Sequence, residues 1–496
     1  MADRQLYFQN LALTVGAAHS RYGAIPVTET QTPHTELAGE PFSAEIYSDD
    51  GSVRADFLDR VVASVQHGDV EALASSVAGL HESELGDLIE ALDAEDRRSL
   101  VIQLGDRFDF SSLTEVDEAI RMDIIEALPN EQVAHALKAL DSDDAVYILE
   151  DLAEKDQAEI LAKLPFTERI RLRRSLDYPE ESAGRRMQTE FVAVPPYWSV
   201  GQTIDYLRDS EDLPHSFSQI FVIDPTFHLV GAVDLDQILR TPRPVKIEEI
   251  MHETRHAIPA EMDQEEAALI FEQYDLLSAA VVDENERLVG VLTIDDVVDV
   301  IQAEAEEDLK RLGGVGDEEL SDSVIETTRS RFTWLLINLA TAILASVVIG
   351  LFDATITEMV ALAVLMPIVA SMGGNAGTQT MTVAVRALAT RDIDIYNASR
   401  IVRRELTVGF INGVIFAAVM GLVAALWFSS LSLGIVIGLA MIVNMVCAAL
   451  AGILIPLLLD RIGIDPAIAS SVFVTTVTDI VGFFAFLGLA GWWFGI

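Results

Sequence analysis

The stretch TTVTDIVGF, from Thr475 to Phe483, sets one carboxylate, Asp479, in an otherwise apolar run. Asp479 is the only charge between Ala467 and Gly491, a 25-residue segment of which it is the midpoint. On a helix it therefore lies about 18 Å from either end. A charge at that depth of a bilayer is costly and marks an ion pathway or a partner. Every arginine after residue 331 reads as part of a loop between apolar runs. The neutralising charge then comes from outside the chain, or the acid carries a proton. Thr475 and Thr476, four and three positions earlier, share the helical face of Asp479 and would add hydroxyl oxygens. The alternative for these threonines is bonding back to carbonyls of their own helix.

A second cluster lies in PIVASMGGNAGTQT, Pro367 to Thr380. Pro367 frees a backbone carbonyl, and Gly373, Gly374 and Gly377 allow a break or close helix approach. Asn375, Thr378 and Gln379 offer oxygens; packing of small residues explains the glycines well and these polar neighbours less well. Asn338 and Asn444 are further polar positions in apolar runs and rank below them. Carboxylate and amide oxygens without thiolate or imidazole suit a hard cation. Magnesium keeps several waters, so one carboxylate per chain, doubled by symmetry, suffices to hold it; calcium asks for more direct oxygens.

The elements that position these residues follow from the uncharged runs. Residues 332–352, 359–385 and 467–491 are each long enough to span a membrane, and 406–459 is long enough for two crossings joined near Ser429 to Ser432. Residues 332–496 thus read as a transmembrane domain of five helices. Residues 332–496 carry eight acidic and six basic residues, leaving 70 acidic and 27 basic in residues 1–331, so nearly all of the net charge of −45 is outside the membrane part. Arg329 and Arg331 precede the first span, Arg386, Arg391, Arg400, Arg403 and Arg404 lie between the second and third, and Arg461 lies between the fourth and fifth. The excess of arginine on one side places the soluble part in the cytoplasm and the C-terminus outside. The single cysteine, Cys447, excludes an intrachain disulfide framework, and no cleavable secretory signal is evident near Met1.

The soluble part divides further. Residues 1–56 read as a flexible N-terminal extension. From 57 to 186, short helices recur with Leu128, Leu140, Leu152 and Leu164 spaced by twelve, and Leu92 and Leu104 on the same grid, which predicts an acidic helical, solenoid-like N domain. In 187–303, HLVGAVDLDQIL is echoed by RLVGVLTIDDVV 59 residues later, each unit reading strand, turn, strand, helix. This duplication resembles a tandem CBS-domain module, an α/β regulatory fold. Some relatives of that fold bind adenosine nucleotides through a Thr or Ser followed three residues later by Asp. Thr293 and Asp296 match this in the second unit, whereas the first has Asp234 and Gln237. A loop whose polar residues cap the next helix is the alternative. Residues 304–331 form an acidic connecting region broken by GGVG at Gly313 to Gly316.

PIVASMGGNAGTQT, RREL at Arg403 to Leu406, and DPAIASSVFVTTVTDIVGF from Asp465 together resemble the membrane domain of the MgtE magnesium channel family. The domain order resembles that family over residues 57–496. The resemblance implies a multidomain membrane protein of the bacterial inner membrane: a homodimeric, magnesium-selective channel with its pore between subunits, Asp479 as pore aspartate and Asn375 as pore-lining asparagine. It also implies that the connecting region is a plug helix and that cytoplasmic Mg2+ closes the pore by bridging acidic surfaces. The candidate sensor acids are Glu90, Asp93, Glu95 and Asp96 in the N domain; Asp224, Asp283, Glu284, Asp295, Asp296 and Asp299 in the paired units; and Glu304, Glu307 and Asp308 in the connector. Any one of them taken alone reads as a solvated surface acid, and the expectation attaches to the group. A proton-coupled secondary transporter and a nonconducting cation receptor are the rival readings. No phosphoryl-transfer motif points to an enzyme, and neither nucleic acid nor an obligatory partner protein is expected.

Overall fold

The computed structural model describes residues 46–48, 50–210, 213–214, 216–253, 256–316, 324–393 and 397–495. Most of the 1–56 extension, and the connector acids Asp317, Glu318, Glu319 and Asp322, lie outside the described residues. The chain divides into compact units at residues 1–59 and 60–496. In the first, Tyr47 pairs with Val53 across a turn in which Gly51 takes φ +83°.

The N domain is a succession of short helices: α1 (Ala55–His67), α2 (Val70–Val77), α3 (Glu82–Ala91), α4 (Ala94–Leu104), α5 (Glu118–Ala127), α6 (Asn130–Leu137), α7 (Ser142–Glu150), α8 (Glu154–Leu161) and α9 (Phe166–Leu176). Local chemistry starts several of them. Asp69 accepts from Ala72 N, the His81 ring and Glu84 form a capping box, and Asp93 accepts from Glu95 N and Asp96 N. The twelve-residue grid is the repeat of helix plus turn. Leu92, Leu104, Leu128, Leu152 and Leu164 are buried, while Leu140 is half-buried.

Arg121 ties this domain together from inside. It is 2% exposed, donates to Leu113 O and Val116 O, pairs with Asp151 at 2.6 Å and lies over the Tyr147 ring. Arg121→Leu leaves Asp151 half-enclosed without its cation, and loss of one partner of such a buried pair costs about 3 kcal/mol or more. The expected result is a clear fall in the midpoint of the soluble-domain transition on thermal unfolding; an unchanged midpoint contradicts this assignment.

After α10 (Ala183–Arg186), two equivalent units follow: β1 (Ala193–Val194), α11 (Val200–Asp209), β2 (Gln219–Ile223), β3 (Leu229–Asp234), α12 (Leu235–Arg240) and α13 (Ile247–Ile250), then β4 (Ile258–Pro259), α14 (Gln264–Tyr274), β5 (Ser278–Val282), β6 (Leu288–Thr293) and α15 (Ile294–Gly313). Each sheet has three strands, one parallel and one antiparallel pairing, in sequence order. The 59-residue echo reproduces even the register, Phe221 opposite Ala232 and Ala280 opposite Val291. Side chains from both sheets share one core of Phe221, Ala232, Ala280, Leu288 and Val291, so neither unit is closed alone. The short leading strands β1 and β4 carry two residues each, too few for an alternating pattern to reveal.

No helix boundary falls at 303–304. Helix α15 runs on from the second unit as the connector, and ends where Gly314 turns left-handed at φ +71°. Its tip reaches the membrane part: Arg311 pairs with Asp465, and Leu312 packs beside Met381, Val385, Ala467 and Val474.

The membrane part contains α16 (Val324–Gly350), a short α17 (Asp353–Glu358), α18 (Ala361–Ala389), α19 (Ala398–Trp427), α20 (Leu431–Arg461) and α21 (Pro466–Phe494). Five of these are long and apolar enough to cross a membrane. They extend past the uncharged runs, so Arg386, Arg400, Arg403, Arg404 and Arg461 sit on helix ends and not in loops, a correction to the sequence reading. Helical hydrogen bonding continues through the interface while long arginine stems carry their charge to water. Helix α20 packs against α18, α19 and α21, and glycines set its closest approach: a Cβ on Gly452 would stand 2.6 Å from Gly377 O.

Candidate ion path and cytoplasmic acid clusters

Asp479 sits mid-way along α21, half-buried, and no described residue reaches its carboxylate with a hydrogen bond or an ion pair. Its expected neighbours Thr475 and Thr476 are committed as donors. Thr475 Oγ1 bonds to Ser471 O at 2.9 Å and Val472 O at 3.0 Å, and Thr476 Oγ1 bonds to Val472 O at 2.6 Å. Their helix satisfies these hydroxyls, as the alternative reading had it, while oxygen lone pairs stay free to accept from a hydrated ion.

Helix α18 has two faces at this depth. Gly373, Gly377 and Met381 are buried against the bundle, whereas Ser371, Asn375 and Gln379, spaced by four, form an exposed polar stripe. The two helices meet at Gly374, where a Cβ would stand 3.6 Å from Thr475 Cγ2 and 4.0 Å from Thr478 Oγ1. Asn375 follows the first member of that contact and Asp479 follows the last, which brings both residues to one level of the bundle.

Asn444, ranked low on sequence, is fully buried on α20. Its Nδ2 donates to Val369 O at 2.7 Å, and it fills the space left by Gly373 and Gly482. Only the packing reveals this; in sequence it is one amide among apolar residues.

In the soluble part the sensor candidates separate by what they touch. Asp224 accepts from Thr226 N, Thr226 Oγ1 and His228 N, and the Thr226 hydroxyl leads in holding its pKa down to about 2. Asp283 repeats this turn, accepting from Asn285 N and Arg287 N. Asp93 is the α4 cap, with Glu95 and Asp96 in the first turn behind it, and Glu284 is exposed. Glu90 accepts from Asp117 N, and burial raises its pKa. Glu307 pairs with Arg311 on its own helix.

Two clusters are under electrostatic stress. At the first, the N-termini of α7 and α15 bring Asp143 and Asp144 towards Asp295, Asp296 and Asp299. Burial, then the neighbouring Asp296, pushes Asp144 up to about 7; burial pushes Asp296 up to about 7 as well. Asp143 is raised well above the carboxylate range by burial, and its Oδ1 has no hydrogen-bond partner among the described residues. Asp299 is raised by burial, with Asp295 and Glu82 adding to it. At the second cluster, Glu265 on α14 is pushed up to about 7 by burial and then by Glu304 and Asp308. Glu304 and Asp308 are themselves raised, chiefly by burial. They line a cavity of about 500 Å³ with Glu181, Asp460 and Asp465 between α14, α15 and the feet of the membrane helices. Sequence reasoning missed Asp143, Asp144, Glu265 and Asp465, because only the fold opposes these acids. Among the described residues, no three His, Cys, Asp or Glu side chains stand close enough to hold a metal ion.

Thr293 and Asp296 are engaged with each other. Thr293 Oγ1 donates to Asp296, and Asp296 belongs to the first acid cluster. A cavity of about 600 Å³ lies elsewhere between the two units, bounded by Gln219, His252, His256, Leu276 and Ser278.

Residues 366–489 match the divalent cation transporter family MgtE, residues 80–181 match the MgtE intracellular N domain, and residues 247–303 match a CBS domain. The magnesium transporter MgtE of Thermus thermophilus is 30% identical over 460 residues, covering 86% of this chain and 96% of that protein. The chain belongs to the MgtE family. The magnesium transporter MgtE of Enterococcus faecalis is 34% identical over 315 residues, 64% of this chain and 70% of that protein. A crystal structure of the cytosolic domain of the Mg2+ channel MgtE in complex with ATP covers 49% of this chain and 99% of that one, at 27% identity and TM-score 0.46. Membership of the MgtE family makes this chain a membrane transporter and not an enzyme, built from an N domain, CBS units and an apolar helical domain.

Proposed function

We propose that two copies of this chain form a magnesium-selective channel, that Mg2+ runs down its electrochemical gradient between the subunits past Asp479, and that cytoplasmic Mg2+ closes it. The observation that carries the reading is the unpartnered Asp479 on α21 at the level of the exposed stripe Ser371, Asn375 and Gln379 on α18. Polar groups facing hydrocarbon without partners cost several kcal/mol each. A second copy related by a two-fold axis converts the stripe into the wall of a wet path and doubles the carboxylate. Arginine on the helix ends facing the soluble domains supports a cytoplasmic N-terminal part and a C-terminus outside.

Closure rests on the two acid clusters. Mg2+ keeps its waters and bridges carboxylates through them, which relieves repulsion between α7 and α15 and between α14, α15 and Asp465. An ion bound more tightly by this compact arrangement shifts the equilibrium towards it, with Leu312 seated between α18 and α21. An adenosine nucleotide at Thr293 and Asp296 requires their mutual hydrogen bond to open, so a nucleotide effect is expected to depend on the first acid cluster.

Flux into proteoliposomes with and without a pH gradient separates channel from proton-coupled transporter. The expected result is Mg2+ entry that follows the magnesium gradient and membrane potential and is unchanged when the pH gradient is collapsed. Entry that stops on collapse defeats the channel reading, and no entry under any gradient leaves the nonconducting receptor.

A further inference from the structure

Asn444 is a full amide enclosed in the membrane part, and the notch around it involves both helices of the ion path. Gly373 on α18 and Gly482 on α21 each face it. A Cβ on Gly373 would overlap the Asn444 amide, and one on Gly482 would stand 2.9 Å from its Nδ2. Gly373 is two residues before Asn375, and Gly482 is three residues after Asp479. The Nδ2 bond to Val369 O adds to a carbonyl that already lies within the α18 ladder.

Stability alone does not account for an amide here. Asn444 Oδ1 is buried without a hydrogen-bond partner among the described residues, a state that costs folding energy and that an apolar side chain of similar volume avoids. Interhelical polar bonds in membranes contribute modestly. What the amide adds is direction: a hydrogen bond to one backbone carbonyl fixes the rotation and height of α18 relative to α20, and the fit against Gly482 fixes α21 to the same point.

We propose that Asn444 is a positioning residue for conduction, holding the Asn375-bearing and Asp479-bearing segments at the separation that selects hydrated Mg2+ over a larger divalent cation. It acts through those segments and does not touch the ion. This rests on the channel reading above.

The test compares Mg2+ and Ca2+ influx in proteoliposomes for the wild-type chain, Asn444→Leu, Asn444→Ala, Gly373→Ala and the double variant Gly373→Ala/Asn444→Ala. Wild-type Mg2+ influx on the same preparation tests the channel reading by itself. Asn444→Leu is expected to melt at or above the wild-type temperature, yet its Mg2+ to Ca2+ influx ratio falls about tenfold, as expected for a misplaced binding geometry. Gly373→Ala is expected to lose folded protein through the overlap with Asn444. The double variant regains the fold, because the offending amide is gone, and keeps the lowered ratio. A wild-type ratio in the folded fraction of Asn444→Leu, or in Asn444→Ala where the leucine variant does not fold, overturns the proposal, as does failure of Asn444→Ala to rescue Gly373→Ala.

Discussion

Asp479→Asn is expected to remove most of the magnesium flux and to leave the bundle folded. The amide has nearly the shape of the carboxylate, and the carboxylate makes no hydrogen bond or ion pair with a described residue that the change would break. Removing a buried charge without a partner relieves the fold, so the melting temperature holds or rises. Flux behaves oppositely, because the ion loses the formal charge that each subunit places near the centre of the membrane. Loss of one member of a close charge pair costs about 2–5 kcal/mol, which corresponds to a flux reduction of about 30-fold to several thousand-fold. Asp479→Glu restores the charge with a longer reach and is expected to recover part of the flux. Flux assays on folded, reconstituted protein check this; wild-type rates in Asp479→Asn would remove the carboxylate from the path.

The second large effect is a pH dependence of closure by internal magnesium. Asp144, Asp296 and Glu265 titrate at about 7 in the compact arrangement, against ordinary values of 3.8 for Asp and 4.5 for Glu. A carboxylate with a raised pKa favours the compact arrangement only while protonated. Without metal, the stability it contributes is intact below its ordinary pKa, declines as pH rises towards 7, and stays lost above that. Magnesium requires the ionised form and so competes with protons. Between pH 6 and 8, the ionised fraction of a group titrating at about 7 rises roughly tenfold. The open arrangement, with ordinary carboxylate pKa values, is already ionised over this range, so protons held by the compact form stand in for Mg2+ at pH 6 and are lost by pH 8. The internal Mg2+ concentration that half-closes the channel is therefore expected to rise from pH 6 to pH 8. Patch recordings at both pH values, with internal Mg2+ stepped from micromolar to millimolar, give this directly. Asp144→Asn/Asp296→Asn/Glu265→Gln should close with little dependence on either magnesium or pH. The same closing concentration at pH 6 and 8 in the wild-type chain would separate these clusters from gating.

Large parts of the molecule are legible in one dimension because their signals are local. A lone carboxylate in 25 apolar residues, a twelve-residue leucine grid and a duplicated strand-turn-strand need no partner to be seen, and helices, registers and buried leucines follow them. Properties set by packing are not legible in this way. Thr293 and Asp296 have the spacing of a nucleotide motif, but spacing does not show that they bond to each other and face Asp144. Asp224 and Asp283 look like free acids and serve as turn acceptors. Asp143 and Glu265 are ordinary in sequence and become stressed only when α7 or α14 is laid against α15. Asn444 gains its meaning from two glycines on other helices.

The most direct measurement is the position of a divalent ion in the assembled protein, located by anomalous scattering from Mn2+ exchanged for Mg2+. A hydrated ion held through one water stands about 4–5 Å from the oxygen that binds it. Density at that distance from both Asp479 carboxylates, on the two-fold axis, is the predicted result. An Asp479 that faces lipid, or that is engaged by a fixed residue with the ion travelling elsewhere, contradicts it.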